Sequence, residues 1–236
     1  MGRRALRPAV AASDSLRSRL AALAPATSDR LTGSDFLLLG AAVGLVGWSA
    51  TAAIAAVAPG AGFLTVVVWT PLVAVMLGAG LLHTPDAMRF SLPMLGWGLL
   101  NGLAVTATLV AVLVGAPDQV GGDPFTTVVL GPDAGAVWSL WTLDLAAGYA
   151  WTADALRRDA QPSRAAGYSY AAFLGFGLLA YHAAGVEAIR TVRYPALAAL
   201  HAIPLALDAR TALSGVRRTA VLYLVVFALV ALGALL

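Results

Sequence analysis

Residues 92–114 read LPMLGWGLLNGLAVTATLVAVLV, a run without a single charged side chain. A helix needs about 20 apolar residues to cross the hydrocarbon core of a bilayer. Helix is the expected form because each backbone N–H and C=O must be satisfied within the segment, and barrel strands would alternate polar and apolar residues. The run therefore predicts a transmembrane helix.

The composition of the whole chain supports the same interpretation. Its 236 residues are 60% hydrophobic and 11% charged, with a mean hydropathy of +0.82. A soluble domain usually has about 25% charged residues. We therefore predict an all-α fold, a polytopic bundle of transmembrane helices whose main partner is the lipid bilayer.

Six further apolar runs are separated by segments rich in Pro, Gly, Asp or Arg. They cover residues 36–57, 62–82, 136–152, 168–188, 194–207 and 219–236. The run 194–207 is short and contains Pro204, so it either spans the membrane or forms a re-entrant piece. The prediction is seven membrane helices, or six if 194–207 does not span.

Arginine supplies all 15 basic residues and predicts the orientation. Cytoplasmic loops are enriched in basic residues. With the N-terminus in the cytoplasm, 13 of the 15 arginines fall on the cytoplasmic side, and the exceptions are Arg190 and Arg193. We expect a multi-pass protein of the cell membrane with a cytoplasmic N-terminus and, for seven helices, an outside C-terminus.

Two regions are predicted. Residues 1–34 are an Arg-rich cytoplasmic segment, either a flexible tail or a surface helix carrying Leu16, Leu20 and Leu23. Residues 35–236 form one transmembrane helical domain, because no loop is near the roughly 50 residues that a separate domain needs.

Several kinds of chemistry are excluded by residue content. The chain has no Cys and no Lys, which removes disulfides, thiol nucleophiles and Schiff bases to retinal or pyridoxal phosphate. It has no Gly-rich phosphate loop. No cofactor and no metal site is predicted. The arginines adjoin apolar runs, so they indicate membrane orientation and no nucleic-acid partner.

Asp144 is the first candidate for a functional residue. An aspartate in the middle of a membrane helix costs about 2.5–3.5 kcal/mol on insertion scales. At helical spacing Asp144 shares a face with Trp141, Gly148 and Trp151. Either it is a protonatable group in an aromatic pocket that relays protons or holds a cation, or it lies among headgroups or bonds a neighbouring helix.

His182, His201 and Asn101 complete the predicted intramembrane polar set with Asp144. Two histidines on facing helices can ligate haem or a metal. Plain hydrogen bonding between helices is the favoured interpretation, because no carboxylate set accompanies the two histidines. Asn101 is expected to bond a facing helix or a substrate.

Two more acidic residues are expected to form local pairs. Glu187 lies close to Arg190 and Arg193, which predicts an ion pair at the membrane interface. Asp208 precedes Arg210 by two residues, which predicts a helix cap or a surface pair.

Three classes of function remain open. The leading hypothesis is a small transporter or permease-like subunit, because polar residues inside an apolar bundle mark ion or substrate pathways. The second is a membrane-embedded enzyme or redox protein using His and Asp, although a non-enzymatic function is favoured. The third is a structural subunit that binds another membrane protein or a second copy of itself.

Overall fold

The computed structural model describes residues 31–115, 123–131 and 134–210. Within these ranges the chain forms seven α-helices and two π-helical turns, and it forms no strand. The helices are α1 Gly33–Val57, α2 Phe63–Gly78, α3 Asp86–Arg89, α4 Leu92–Gly115, α5 Gly135–Arg158, α6 Pro162–Ala183 and α7 Glu187–Ala209. The π-helical turns are Ala79–His83, which continues α2, and Thr126–Leu130, which precedes α5. The all-α fold class is confirmed for this part of the chain.

Three helices are long and apolar enough to cross a membrane. They are Gly33–Val57, Phe63–His83 and Leu92–Val114. Their bounds agree closely with the first three apolar runs of the sequence. These three helices support the prediction that the chain is a membrane protein. The predicted seventh run, 219–236, and residues 1–30 of the N-terminal segment lie outside the described residues.

The start of α1 is fixed by a capping box. The Thr32 hydroxyl accepts the Asp35 backbone N–H at 3.2 Å, and the Asp35 carboxylate accepts the Thr32 backbone N–H at 3.1 Å. This exchange satisfies two N–H groups that have no partner at a helix start. The helix therefore begins at Gly33, before the apolar run itself.

The last of the described helices corrects a sequence prediction. The apolar run 194–207 suggested a short segment, but α7 has 23 residues and includes Pro195 and Pro204. At 1.5 Å per residue it is about 34 Å long. Arg190 and Arg193 lie in its first two turns and not in a loop. Hydropathy placed the start of this helix too late, because hydropathy drops at the arginines whereas the helical backbone continues through them.

The long helices differ in how much of their surface the bundle buries. The most extensive pairings are α1 with α7 and α5 with α6, while α2 packs on α1 and α4 packs on α5. Only 17% of the most apolar 18-residue window of Phe63–His83, and 11% of that of Leu92–Val114, is buried. We call α2 and α4 the outer helices and α5, α6 and α7 the inner helices.

The core is largely aromatic and lies where α1 meets the inner helices. Trp48 of α1 is 4% exposed. Its ring centroid lies 4.7 Å from that of Trp69 on α2 and 5.6 Å from that of Trp141 on α5, both in edge-to-face geometry. Tyr149 and Tyr168 belong to the same cluster. Such pairs add about 0.5–1.5 kcal/mol beyond their buried area, so this cluster holds several helices together.

Candidate functional site

Two tryptophan–threonine hydrogen bonds join α4 to α5. Trp97 Nε1 on α4 donates to Thr152 Oγ1 on α5 at 3.0 Å, and Trp141 Nε1 on α5 donates to Thr108 Oγ1 on α4 at 3.1 Å. In each helix the tryptophan precedes the threonine by eleven residues (97 to 108, 141 to 152). Because the helices run antiparallel, the two bonds are related by an approximate two-fold axis. We call them the two clasps.

Small residues make the clasps possible. Each threonine hydroxyl donates to the carbonyl four residues earlier, Thr152 to Gly148 and Thr108 to Ala104, both at 2.8 Å. A Cβ on Gly148 would lie 2.6 Å from the Trp97 ring, so only glycine leaves room for the indole. A sequence signal for this contact existed, namely Trp and Thr eleven residues apart in both helices, but sequence reasoning missed it.

The same device recurs between α1 and α2. Trp69 Nε1 donates to Thr51 Oγ1 at 3.1 Å, and Thr51 donates to the Gly47 carbonyl at 2.9 Å. A Cβ on Gly47 would lie 2.5 Å from the Trp69 ring. In each case an indole ring packs against a glycine and donates a hydrogen bond to the threonine one turn later. One such contact therefore anchors each outer helix to the bundle.

Asp144 lies on α5 between the two clasps. It is 5% exposed. Both of its carboxylate oxygens are buried, and neither has a hydrogen-bond partner among the described residues. A buried charged group without a partner forfeits several kcal/mol of hydration. The structure thus places Asp144 inside the bundle and not at its surface.

Asn101 shares this interface. At helical spacing it lies on the α4 face that carries Trp97 and Thr108, the residues that bond α5. Its Nδ2 donates to the Trp97 carbonyl at 2.8 Å. No hydrogen bond joins Asn101 to Asp144. The α4–α5 interface therefore brings these two predicted residues between the same pair of clasps.

The two histidines contact different helices. The His182 ring centroid lies 5.0 Å from that of Trp138 on α5, and a Cβ on Gly135 would lie 2.8 Å from His182 Nε2. The His201 imidazole instead fills the space above Gly44 of α1, where any Cβ would collide with it. Across residues 31–115, 123–131 and 134–210, no three His, Asp or Glu residues gather as a metal-binding group.

Asp208 corrects the expectation of a cap or a surface pair. Its side chain is 1% exposed, and it forms a salt bridge with Arg164 on α6. Arg164 Nε donates to Oδ1 and Arg164 Nη2 to Oδ2, both at 2.6 Å, and the Tyr168 hydroxyl donates to Oδ2 at 2.8 Å. The sequence prediction considered a local partner, whereas Arg164 lies 44 residues away along the chain.

The expected pair of Glu187 with Arg190 and Arg193 stays a prediction. The side chains of Glu187 and Arg190 lie outside what the structure describes. The backbone at this point has a defined role, since the Arg193 carbonyl accepts the Trp138 indole N–H at 2.8 Å. That bond ties the first turns of α7 to α5.

Two buried aspartates, Asp208 and Asp144, differ in how their charge is compensated. Asp208 has a cationic partner and a hydroxyl donor, so its charge is compensated. Among the described residues Asp144 has neither, and a proton or a small cation would compensate its charge. Comparison with known proteins adds no assignment: no family model, no curated protein and no solved structure matches this chain.

Proposed function

We propose that the protein is a small multi-pass transporter or permease-like protein of the cell membrane, in which Asp144 binds the transported or coupling ion. The observation that carries the proposal is the buried Asp144 carboxylate, whose two oxygens have no protein partner in the described residues. Intramembrane carboxylates of this kind commonly mark ion pathways and proton relays.

The lengths of the inner helices support a multi-pass arrangement. They have 24, 22 and 23 residues, which corresponds to about 33–36 Å of helix. A hydrocarbon core is about 30 Å thick. Their lower hydropathy is compatible with spanning, because neighbouring helices cover their polar residues. With the run 219–236, six long helices would become seven.

The arginines support the proposed orientation. In an up-and-down bundle one end carries the turn after α2, the end of α5, the start of α6 and the end of α7. The arginines at that end are Arg89, Arg157, Arg158, Arg164 and Arg210. We assign this end to the cytoplasm, together with the N-terminus.

Energetics explain why a proton or cation would bind at Asp144. An ionised carboxylate buried without a partner costs several kcal/mol. Uptake of a positive ion removes that cost, and release of the ion restores it. The occupied and empty forms of the site therefore favour different packing around Asp144, which is what a transport cycle requires.

The interface around the site suggests how the ion would enter. Asp144 lies on α5, the helix against which α4 packs, and α4 is the least buried of the three apolar helices. Opening that interface at one clasp and then at the other would expose Asp144 to each side in turn. Each opening would break one tryptophan–threonine hydrogen bond of the same kind.

Proteoliposomes containing the full chain test the proposal. We would measure proton, ²²Na⁺ and ⁸⁶Rb⁺ movement under an imposed membrane potential, for the wild type, Asp144→Asn and the control Asp154→Asn. Asp154 is an exposed residue at the end of α5, paired with Arg158. We expect Asp144→Asn to lose a flux that Asp154→Asn retains. If Asp144→Asn leaves every flux at the wild-type rate, the proposal fails.

Stability provides a second measurement. Asp144→Leu removes an uncompensated buried polar group, so it should leave the protein as stable as the wild type or more stable, while abolishing flux. A loss of stability of about 2 kcal/mol or more would instead indicate that Asp144 is a structural residue.

A further inference from the structure

The oxygen atoms near Asp144 limit which ion the site can hold. Hard metal cations are bound in proteins by several oxygen ligands at once. Hydrogen bonds across the α4–α5 interface use the side-chain oxygens of Thr108 and Thr152, and Asn101 lies on the same face of α4. The question is how many of these remain available.

The two threonines are already engaged. Each hydroxyl donates a hydrogen bond to a backbone carbonyl and accepts one from an indole N–H. Thr152 is also eight residues from Asp144, about 12 Å along the helix axis. Neither threonine hydroxyl lies within hydrogen-bonding distance of an Asp144 oxygen.

The backbone offers no alternative. Sodium sites at membrane depth use carbonyls freed where a helix is unwound. α4 and α5 are continuous α-helices through the clasp region, so the carbonyls beside Asp144 are held by helical N–H groups. Among the described residues no side chain hydrogen-bonds either Asp144 oxygen, so the surroundings they provide are poor in the ligands that a cation shell requires.

We propose that the ion taken up by Asp144 is a proton, and that the site excludes Na⁺ and K⁺. A proton needs no ligand shell, because it forms one O–H bond to a carboxylate oxygen. The proton comes from water or hydronium and returns to water on release, so no redox partner is required. This inference rests on the proposed function only in taking Asp144 as the ion-binding group.

Infrared difference spectroscopy of the full-length protein in lipid tests it directly. The C=O stretch of a protonated carboxyl group would be followed as the pH is changed, in choline, sodium and potassium chloride. Asp144→Asn assigns the band by its loss, and Asp154→Asn serves as the control that retains it. Asp144→Leu replaces Asp144→Asn if that variant does not fold.

The expected result is a carboxyl band that titrates at the same pH in all three salts. A competing cation would move the midpoint by about one pH unit for each tenfold rise in its concentration, by linkage. Such a shift in sodium or potassium overturns the inference. So does the absence of any Asp144 band over the range of pH in which the protein stays folded.

Flux measurements separate this inference from the proposed function. A band that titrates independently of salt, without any Asp144-dependent flux in vesicles, supports proton uptake and contradicts transport. An Asp144-dependent flux that requires Na⁺ supports transport and contradicts the proton assignment. Asp144-dependent proton flux at equal rates in the three salts supports both.

Discussion

Hydropathy and burial are related in opposite ways in the two groups of helices. The outer group is α2 and α4, and the inner group is α5, α6 and α7. The outer ones are the more apolar, yet little of their surface is buried. The inner ones carry more polar residues, yet α5 places Trp138, Asp144 and Tyr149 in the core. In a water-soluble protein the apolar faces would be inside. The reversal fits a bundle whose outer surface meets lipid, and it shows that high hydropathy in these helices does not indicate burial within the bundle.

Glycine partly follows the same division. On α4, a Cβ at Gly98 or Gly102 would meet open space. On the inner helices a Cβ added at Gly148 would contact Trp97 and one added at Gly175 would contact Ala146 at 2.7 Å, whereas one added at Gly177 would meet open space. Gly148 and Gly175 thus set distances between helices, whereas Gly98, Gly102 and Gly177 touch nothing in the described chain.

The largest expected effect comes from breaking the ion pair between Arg164 on α6 and Asp208 on α7. Arg164→Ala leaves the Asp208 carboxylate, 1% exposed, without its cationic partner, which should cost about 3 kcal/mol of unfolding free energy. Arg158→Ala is the matched control. Arg158 pairs with Asp154, and the side chains of both residues are largely exposed. Such a pair contributes less than about 1 kcal/mol to the free energy of unfolding. Unfolding in mixed detergent micelles measures both. Equal losses would show that burial of Asp208 does not matter.

The second effect tests the outer surface. Leu99 on α4 is 59% exposed, so Leu99→Arg should cost about 2.5–3.5 kcal/mol of membrane insertion if that face meets lipid. Leu99→Ala, which adds no charge, should insert almost normally. A glycosylation-based insertion assay reads out the difference. Normal insertion of the arginine variant would place this face in water or against a polar partner.

Hydropathy predicted some of these helices better than others for a physical reason. The three apolar helices were placed correctly because lipid-compatible residues continue to both ends. The inner helices extend beyond their apolar runs, as α7 does through Arg190 and Arg193, since polar end turns still satisfy their backbone hydrogen bonds. A run of hydrophobicity marks what fits the bilayer core, not where a helix begins and ends.

The site was only partly accessible to sequence reasoning. Asp144 stands out because a charge inside an apolar run is costly wherever it lies. The surroundings of Asp144, which hold no hydrogen-bond partner for it among the described residues, and the pairing of Asp208 with Arg164 depend on residues from distant parts of the chain. The shared role of Asn101, Asp144, His182 and His201 stays a prediction, as do the enzymatic and partner-binding alternatives.

The third effect compares two glycines. Gly148→Ala should destabilise the protein by about 1–3 kcal/mol, because the new methyl group overlaps the Trp97 ring. Gly98→Ala adds the same atom in open space and should be neutral or slightly stabilising, since alanine is the better helix former. Thermal unfolding of the two variants in the same detergent decides it. Similar behaviour of both would mean that the inner glycine does not set the α4–α5 spacing.

The smallest effect concerns a single clasp. Trp141→Phe keeps an aromatic ring against Trp48 but removes the indole N–H that Thr108 accepts. Hydrogen bonds between membrane helices average about 0.6 kcal/mol, so we expect a loss of that order, and Thr108→Val should cost a similar amount. Because each substitution removes the same bond, the double variant should cost less than the sum of the two singles, and a double-mutant cycle gives the coupling. Strict additivity would show that this clasp contributes nothing beyond packing, and that Trp141 stabilises the α4–α5 interface through its ring contacts alone.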